Sequence, residues 1–140
     1  MISVDNYLNF PGNALEAFEF YRSVFGGEFE QHFRYEDYGG DSGFDPADAG
    51  RTAHVSLRLT TDFVLMGSDV PKRAEENLRP GTNAYINLNV EDEDEANRLF
   101  EGLSAGGQVE SPLDKTAWSA LYGSLTDRFG VRWMVNYWVA

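Results

Sequence analysis

Hydrophobic residues in this 140-residue chain recur with helical spacing in two segments and alternate as in strands in eight others. Apolar positions three and four apart predict a helix over Ala14–Phe25, with Asn13 as its N-cap, and a second helix between Glu91 and Gly106. Strands are predicted at Val4–Phe10, Glu28–Glu36, Ala53–Thr60, Phe63–Ser68, Ala84–Val90, Gln108–Ser111, Ala117–Leu125 and Val131–Val139.

The second half of the chain repeats the pattern of the first. Leu8-Asn9-Phe10 corresponds to Leu88-Asn89-Val90, and Gly26-Gly27, which ends the first helix, corresponds to Gly106-Gly107. A match of strand, helix register and terminator in the same order predicts two βαβββ modules. We place them at residues 1–68 and 83–140, joined by a linker over residues 69–82, within a single domain. We expect the acidic, glycine-rich insert Asp37–Arg51 of the first module to be mobile.

The composition narrows the class of partner. The formal net charge is −12, from 11 basic and 23 acidic residues. Nucleic-acid binders and proteins that bind anionic membranes need basic surfaces, so we expect neither partner. The chain has no cysteine, which excludes disulfides and thiolate chemistry. Neither a signal-peptide pattern nor a membrane-length apolar run is present in the sequence, and we expect a cytoplasmic protein.

Several motifs resemble those of a known family, and they cover nearly the whole chain. They are Tyr7-Leu8-Asn9-Phe10, Glu16-Ala17-x-x-Phe20-Tyr21-x-x-Val24-Phe25-Gly26-Gly27, His54-Val55-Ser56-Leu57, Leu65-Met66-Gly67-Ser68-Asp69 and Trp118-x-x-x-Tyr122-Gly123-x-x-Thr126-Asp127-x-Phe129-Gly130-x-x-Trp133. Together they resemble the PhnB-like glyoxalase proteins of the vicinal-oxygen-chelate superfamily. Glyoxalase I, extradiol dioxygenases and bleomycin-resistance proteins belong to the same superfamily.

The resemblance implies a fold and an assembly. The fold is of the α+β class, in which two βαβββ modules form an incompletely closed, eight-stranded, barrel-like sheet with the helices outside. It also implies a homodimer and a concave site for a small molecule. A fold of this kind hosts many functions, so the substrate does not follow from it.

Strand alternation selects the residues that face this site. Leu8 and Phe10 are expected to pack on the first helix, and Ile86, Leu88 and Val90 on the second. The predicted ligand-binding residues are Asp5, Tyr7, Asn9, Ser56, Met66, Tyr85, Asn87, Trp118, Tyr122, Arg132 and Met134. The alternative is a barrel interior whose polar groups bond only to one another.

Three kinds of candidate side chain carry specific chemistry. Histidine is the side chain suited to proton transfer near neutral pH, so His54 is the candidate catalytic proton shuttle, with a structural role as the alternative. Arg132 is a candidate anchor for a carboxylate or phosphate, unless it is simply exposed to solvent. Trp118 and Tyr122 are placed on one strand face as an aromatic wall, with ordinary core packing as the alternative.

The superfamily's metal site is expected to be absent. Metal-dependent relatives place four His, Gln or Glu ligands on the concave face, and the strand alignment carries those positions to Asp5 (or Asn6), Met66, Tyr85 and Met134. Only the aspartate is a good ligand for a first-row divalent ion, whereas catalytic zinc normally has three protein ligands. His54 would join the set only if the register differed by a strand. We therefore predict no metal and no cofactor.

Three functions remain open. The first is a metal-free protein that binds a small molecule, as bleomycin-resistance proteins do. The second is a lyase or isomerase that uses His54, a carboxylate such as Asp5 and donors such as Tyr85 or Arg132. The third is a metal-dependent glyoxalase or dioxygenase. We rank them in this order because the metal ligands are missing.

Overall fold

The computed structural model describes residues 1–39 and 43–138, and these residues form two compact units, Met1–Arg79 and Pro80–Ala140. The helices are α1 (Ala14–Phe25) and α2 (Glu93–Ser104). The strands are β1 (Tyr7–Phe10), β2 (Phe29–Arg34), β3 (Thr52–Thr60), β4 (Phe63–Asp69), β5 (Ile86–Val90), β6 (Gln108–Asp114), β7 (Leu121–Thr126) and β8 (Arg132–Tyr137). Short 3-10 helices lie at Tyr35–Tyr38, Pro46–Asp48 and Lys72–Asn77. Within the described residues, no helix is long and apolar enough to span a bilayer.

The first unit is a four-stranded sheet with α1 on one face. Its strand order is β1-β4-β3-β2, with β1 parallel to β4 and the other neighbours antiparallel. Phe18 of α1 is fully buried, and its ring lies 6.1 Å from that of Phe10. A Cβ at Gly67 would lie 2.9 Å from the Phe18 ring, so this glycine lets the helix approach the sheet.

The second unit repeats this architecture. Its strand order is β5-β8-β7-β6, again with one parallel pair, β5 and β8. Ala96, Leu99, Phe100 and Leu103 form the buried stripe of α2. Gly123 gives Phe100 room against β7, where a Cβ would lie 2.6 Å from its ring. The predicted α+β class and the two βαβββ modules are confirmed.

Three predicted strands begin two or more residues later than expected. Asp5 precedes β1 and accepts a hydrogen bond from the Ser3 hydroxyl at 2.7 Å. Tyr85 precedes β5, and its hydroxyl donates to Glu110 at 2.6 Å. Trp118 lies in a turn before β7, where the Thr116 hydroxyl accepts from its backbone N–H at 3.3 Å. The strand positions predicted for these three residues were wrong, because sheet pairing begins only at Tyr7, Ile86 and Leu121.

The predicted cap of α1 was also wrong. Asn13 has φ −115° and ψ 25°, outside the extended geometry of a capping residue, and makes no capping hydrogen bond. Asp69 at the end of β4 takes that role instead, since its Oδ1 accepts from the N–H groups of Gly12 at 3.1 Å and Ala14 at 2.8 Å. Its Oδ2 accepts from the Thr52 N–H at 2.9 Å. One buried carboxylate therefore joins α1, β3 and β4.

Two predictions fall partly outside the described residues. These are the mobility of the insert, which includes residues 40–42, and the strand position of Val139. Within the described part of the insert, Asp48 is buried and accepts from the Lys72 N–H at 2.9 Å. The end of the insert is therefore tied to the 3-10 helix that follows β4.

Candidate functional site

In each unit the helix covers one face of the sheet, and we term the opposite face the open face of that unit. Strand pairing assigns the side chains to it. The first open face carries Tyr7, Asn9, Gln31, Phe33, His54, Ser56, Arg58, Val64, Met66 and Ser68. The second carries Asn87, Asn89, Asp114, Tyr122, Ser124, Thr126, Arg132, Met134 and Asn136.

The centres of the two open faces share a methionine and a serine. In the first unit Met66 pairs with Tyr7 on one side and with Ser56 on the other. In the second unit Met134 pairs with Asn87 and Ser124 in the same way. A methionine flanked by a serine thus occurs at equivalent positions of both modules. Methionine is flexible and polarizable, and it adapts to ligands of irregular shape.

His54 and Tyr7 form a pair on the first open face. The Tyr7 hydroxyl lies 3.1 Å from His54 Nδ1, and the two rings are stacked with centroids 5.8 Å apart. Tyr7 donates this hydrogen bond when Nδ1 is unprotonated and accepts it when Nδ1 carries the proton. Phe33 of β2 is paired with His54 and is 39% exposed. The face therefore combines a titratable ring with an exposed apolar one.

Three asparagine amides form a chain on the second open face. Asn136 Nδ2 donates to Asn87 Oδ1 at 2.5 Å, and Asn87 Nδ2 donates to Asn89 Oδ1 at 3.1 Å. The Trp138 indole N–H also donates to Asn89 Oδ1, at 2.7 Å. Asn136 Oδ1 is buried and accepts no hydrogen bond from the described residues. The chain of amides therefore leaves one acceptor unpaired.

Exposed aromatic rings flank these amides. Trp118 and Tyr122 meet edge to face with centroids 6.0 Å apart, and Trp118 is 62% exposed. Trp138, directly after β8, is 47% exposed. The prediction that both residues lie on one strand face was wrong for Trp118, which contacts Tyr122 from a turn before β7. Its exposure contradicts the alternative of core packing.

Arg132 lies at the edge of the second open face in a closed network. Its guanidinium donates to Glu110 at 2.7 Å, to the Thr82 carbonyl and to the Tyr85 hydroxyl, and it stacks 4.2 Å above the Tyr85 ring. Hydrogen bonds from Arg132, Thr126 and Tyr85 lower the pKa of Glu110 to about 2. The bond to Glu110 in turn raises the pKa of Tyr85. An anionic ligand at Arg132 would have to displace Glu110.

The structure distributes the predicted site residues over separate places. Eight of the predicted ligand-binding residues lie in strands on an open face, as expected: Tyr7, Asn9, Ser56, Met66, Asn87, Tyr122, Arg132 and Met134. Asp5 is exposed outside the sheet, and Tyr85 belongs to the Arg132 network. Sequence reasoning missed Ser124, Asn136 and Trp138, of which the first two are the repeat equivalents of Ser56 and Ser68.

The donor set does not fit the superfamily's divalent metal. Asp5 lies outside the sheet that carries Met66, and Tyr85 is bonded to Glu110 and Arg132. The methionine thioethers are poor ligands for first-row divalent ions. Across residues 1–39 and 43–138, no three His, Asp or Glu side chains are grouped so as to hold a metal.

The repeated modules and their motifs match a known family. The model of the glyoxalase/bleomycin resistance protein/dioxygenase superfamily matches residues 4–135. The chain belongs to that superfamily. The resemblance inferred from the motifs is thereby confirmed.

Several similar proteins match this chain over nearly the whole length of both chains. The crystal structure of protein PA1353 from Pseudomonas aeruginosa is 37% identical, with 97% of this chain and 98% of that chain covered and a TM-score of 0.79. Protein YjdN of Escherichia coli is 27% identical over 93% of this chain and 91% of its own. The PhnB protein from Bacillus cereus is 24% identical with a TM-score of 0.72, covers 96% of this chain and 98% of its own, and shares the fold.

Proposed function

We propose that this member of the superfamily binds a small organic molecule against the open faces of its sheets, without a metal ion. The single observation that carries the proposal is the unpaired, buried Asn136 oxygen beside exposed tryptophans on a face that no helix of its unit covers. A buried acceptor without a partner is costly in a finished core and is typical of a site that awaits one.

The duplicated centre supports the same function. Met66 and Met134 are both partly exposed, and each lies between two polar neighbours of its sheet. Small-molecule sites are lined mainly by apolar and aromatic groups, with a few polar groups that fix orientation. The open faces are more polar than this, but each combines a partly exposed methionine with at least one aromatic ring among its polar groups.

Ligand-observed NMR with a library of neutral and charged aromatic fragments tests this function. We expect fragments that bind the wild-type protein to bind at least about tenfold more weakly to Tyr7→Ala or Asn87→Ala, because each change removes an exposed open-face contact. Asn97→Ala is the matched control, since Asn97 is exposed on α2. Absence of any binding fragment, or equal binding by all variants, would contradict the proposal.

A second function is favoured by the Tyr7–His54 pair. Neutral histidine can take a proton from a carbon acid, and a tyrosine hydroxyl 3.1 Å from Nδ1 can orient the ring and exchange a proton with it. The function is then a lyase or isomerase reaction that begins with proton abstraction next to a carbonyl group. The partner of His54 in this scheme is Tyr7, and not the Asp5 carboxylate or the Tyr85 and Arg132 donors expected from the sequence.

Proton exchange from deuterated water tests this second function. The protein is incubated with small α-hydroxyketones, and loss of the C–H signal is followed by proton NMR. His54→Gln is expected to abolish catalysed exchange and Tyr7→Phe to slow it, whereas His32→Gln is the control. Exchange at the uncatalysed rate with the wild-type protein would rule out this chemistry for these ketones.

A further inference from the structure

The Asn136 side chain is a buried amide on the second open face. It is 3% exposed, its nitrogen is bonded to Asn87, and its oxygen has no partner among the described residues. Burial of an amide oxygen without a hydrogen bond is unfavourable in general, so such a group needs an explanation. The neighbouring strand residues on this face are Asn89 and Tyr122.

The hydrogen bonds around Asn136 run in one direction. Donors point from Asn136 to Asn87 and from Asn87 to Asn89, and Trp138 donates to Asn89 as well. The Asn89 amide oxygen thus accepts two hydrogen bonds, whereas its Nδ2 donates none to the described residues. Asn89 and Asn136 are neighbours across β5 and β8, about 4.8 Å apart in general strand geometry. A free acceptor and a free donor therefore lie on adjacent strands.

Exposed indole rings border these two free groups. Trp138 bonds to Asn89, and Trp118 contacts Tyr122, the other strand neighbour of Asn136. Two tryptophans that are 62% and 47% exposed form flat apolar surfaces suited to stacking. Exposed side chains change rotamer rapidly, so both rings can adjust to a ligand bound beside them.

The charge of this region selects against anions. Asp114 is paired with Tyr122, which places a carboxylate beside the rings. Arg132 is the cation of this face among the described residues, and Glu110, Thr82 and Tyr85 occupy its donors. A neutral ligand avoids both the repulsion by Asp114 and the displacement of Glu110.

We propose that Asn136, Asn89, Trp118 and Trp138 form a subsite for a neutral, planar ring that carries an N–H donor next to a C=O acceptor, as in a lactam. The ring N–H donates to Asn136 Oδ1, the ring carbonyl accepts from Asn89 Nδ2, and the ring stacks on an indole. This inference rests on the proposed binding function and names the ligand class for the second open face.

A pair of matched probes tests the hydrogen bonds. 2-Pyridone has the adjacent N–H and C=O groups, and N-methyl-2-pyridone keeps the ring and the carbonyl but lacks the donor. Each is titrated into the ¹⁵N-labelled full chain, and the three tryptophan indole signals are followed. 2-Pyridone is expected to bind about tenfold more tightly than its N-methyl derivative, since only it can satisfy the Asn136 oxygen. Equal affinities would overturn the proposal.

The indole signals locate the probe. Signals of Trp118 and Trp138 are expected to shift, whereas that of Trp133 stays fixed because it is buried and bonded to Asp127. Asn136→Ala should weaken 2-pyridone binding about tenfold, and Asn97→Ala should leave it unchanged. Trp118 is exposed in a turn, so Trp118→Ala gives a second test if Asn136→Ala does not fold, and it should also weaken binding. Unchanged affinity in the folded variants would refute the subsite.

The outcome separates this inference from the proposed function. In one outcome, Tyr7→Ala weakens the binding of library fragments, but 2-pyridone and its N-methyl derivative bind with equal affinity. The binding function then stands and the lactam subsite is wrong. If neither the library nor the probes bind, both are wrong.

Discussion

At Gly67 the absence of a side chain decides how closely α1 approaches its sheet. A Cβ at this position would lie 2.8 Å from the Leu8 carbonyl oxygen and 2.9 Å from the Phe18 ring. Neither atom has room to move, since Phe18 is fully buried and the Leu8 carbonyl belongs to β1. The family motif around Met66 therefore contains a residue required for packing next to one that faces the candidate site.

Gly67→Ala is expected to destabilise the protein by about 1–3 kcal/mol, because the added methyl group overpacks the core. Urea unfolding followed by circular dichroism measures the difference. Gly50→Ala is the control, since a Cβ there meets nothing within 4 Å and Gly50 does not have a positive φ. Equal stability of Gly67→Ala and the wild type would show that the helix does not depend on this close approach.

The contribution of Glu110 to the stability of the protein is expected to depend on pH. Its pKa in the folded protein is about 2, below the ordinary 4.5, so its stabilising effect is complete above pH 4.5 and is lost as the pH falls toward 2. Glu110→Gln should cost about 1 kcal/mol or less at pH 7, since the site is partly exposed, and the cost should shrink as the pH falls through this window.

The free energy of unfolding, measured for wild type and Glu110→Gln from pH 7 to pH 2.5, tests this dependence. Glu101→Gln, a change on the exposed face of α2, controls for the loss of one carboxylate. A cost that stays constant over the whole range would contradict the assigned role of the Arg132 network.

At the scale of the elements, the buried carboxylate of Asp69 joins the N-terminus of α1 to two strands. Removing it leaves the N–H groups of Gly12, Ala14 and Thr52 without their acceptor. Asp69→Ala should therefore cost about 3 kcal/mol and speed amide exchange at Ala14 and Thr52. Asp62→Ala, in the exposed turn after β3, should change stability by less than about 0.5 kcal/mol. Unchanged protection at Ala14 would show that Asp69 does not cap the helix.

The sequence predicted the elements well where periodicity was strong. The bounds of α1 and the order of all eight strands were correct, because each has a continuous apolar stripe or alternation. Capping by Asp69 was not predictable in the same way, since it lies 55 residues from Ala14 along the chain. The starts of β1, β5 and β7 were misplaced because apolar residues continue beyond the last sheet hydrogen bond.

The candidate site was predictable only in part, for a similar reason. Alternation placed Tyr7, Asn87 and Met134 on the open faces, and the internal repeat would have added Ser124 by comparison with Ser56. The bond between Tyr7 and His54 and the closed network of Arg132 depend on pairing between distant strands. That pairing is fixed by the register of the sheet and not by any local pattern.

At the scale of the whole molecule, we predict a homodimer. The resemblance to the family motivates this, and β6, at the edge of its sheet, exposes Val109 to the extent of 48%. Exposed strand edges favour pairing with another chain. Light scattering at micromolar concentration should give about twice the chain mass of 15.7 kDa, and a mass of 15.7 kDa would contradict the prediction.

Binding of a small molecule to the open faces can be measured directly through the methionine methyl groups. The chain has three methionines: Met66 and Met134 at the centres of the open faces, and Met1, which is fully exposed and serves as an internal control. With ¹³C-methyl labelling, a binding aromatic fragment should shift the Met66 or Met134 signal and leave Met1 unchanged. A fragment that binds with neither signal shifted would contradict the account.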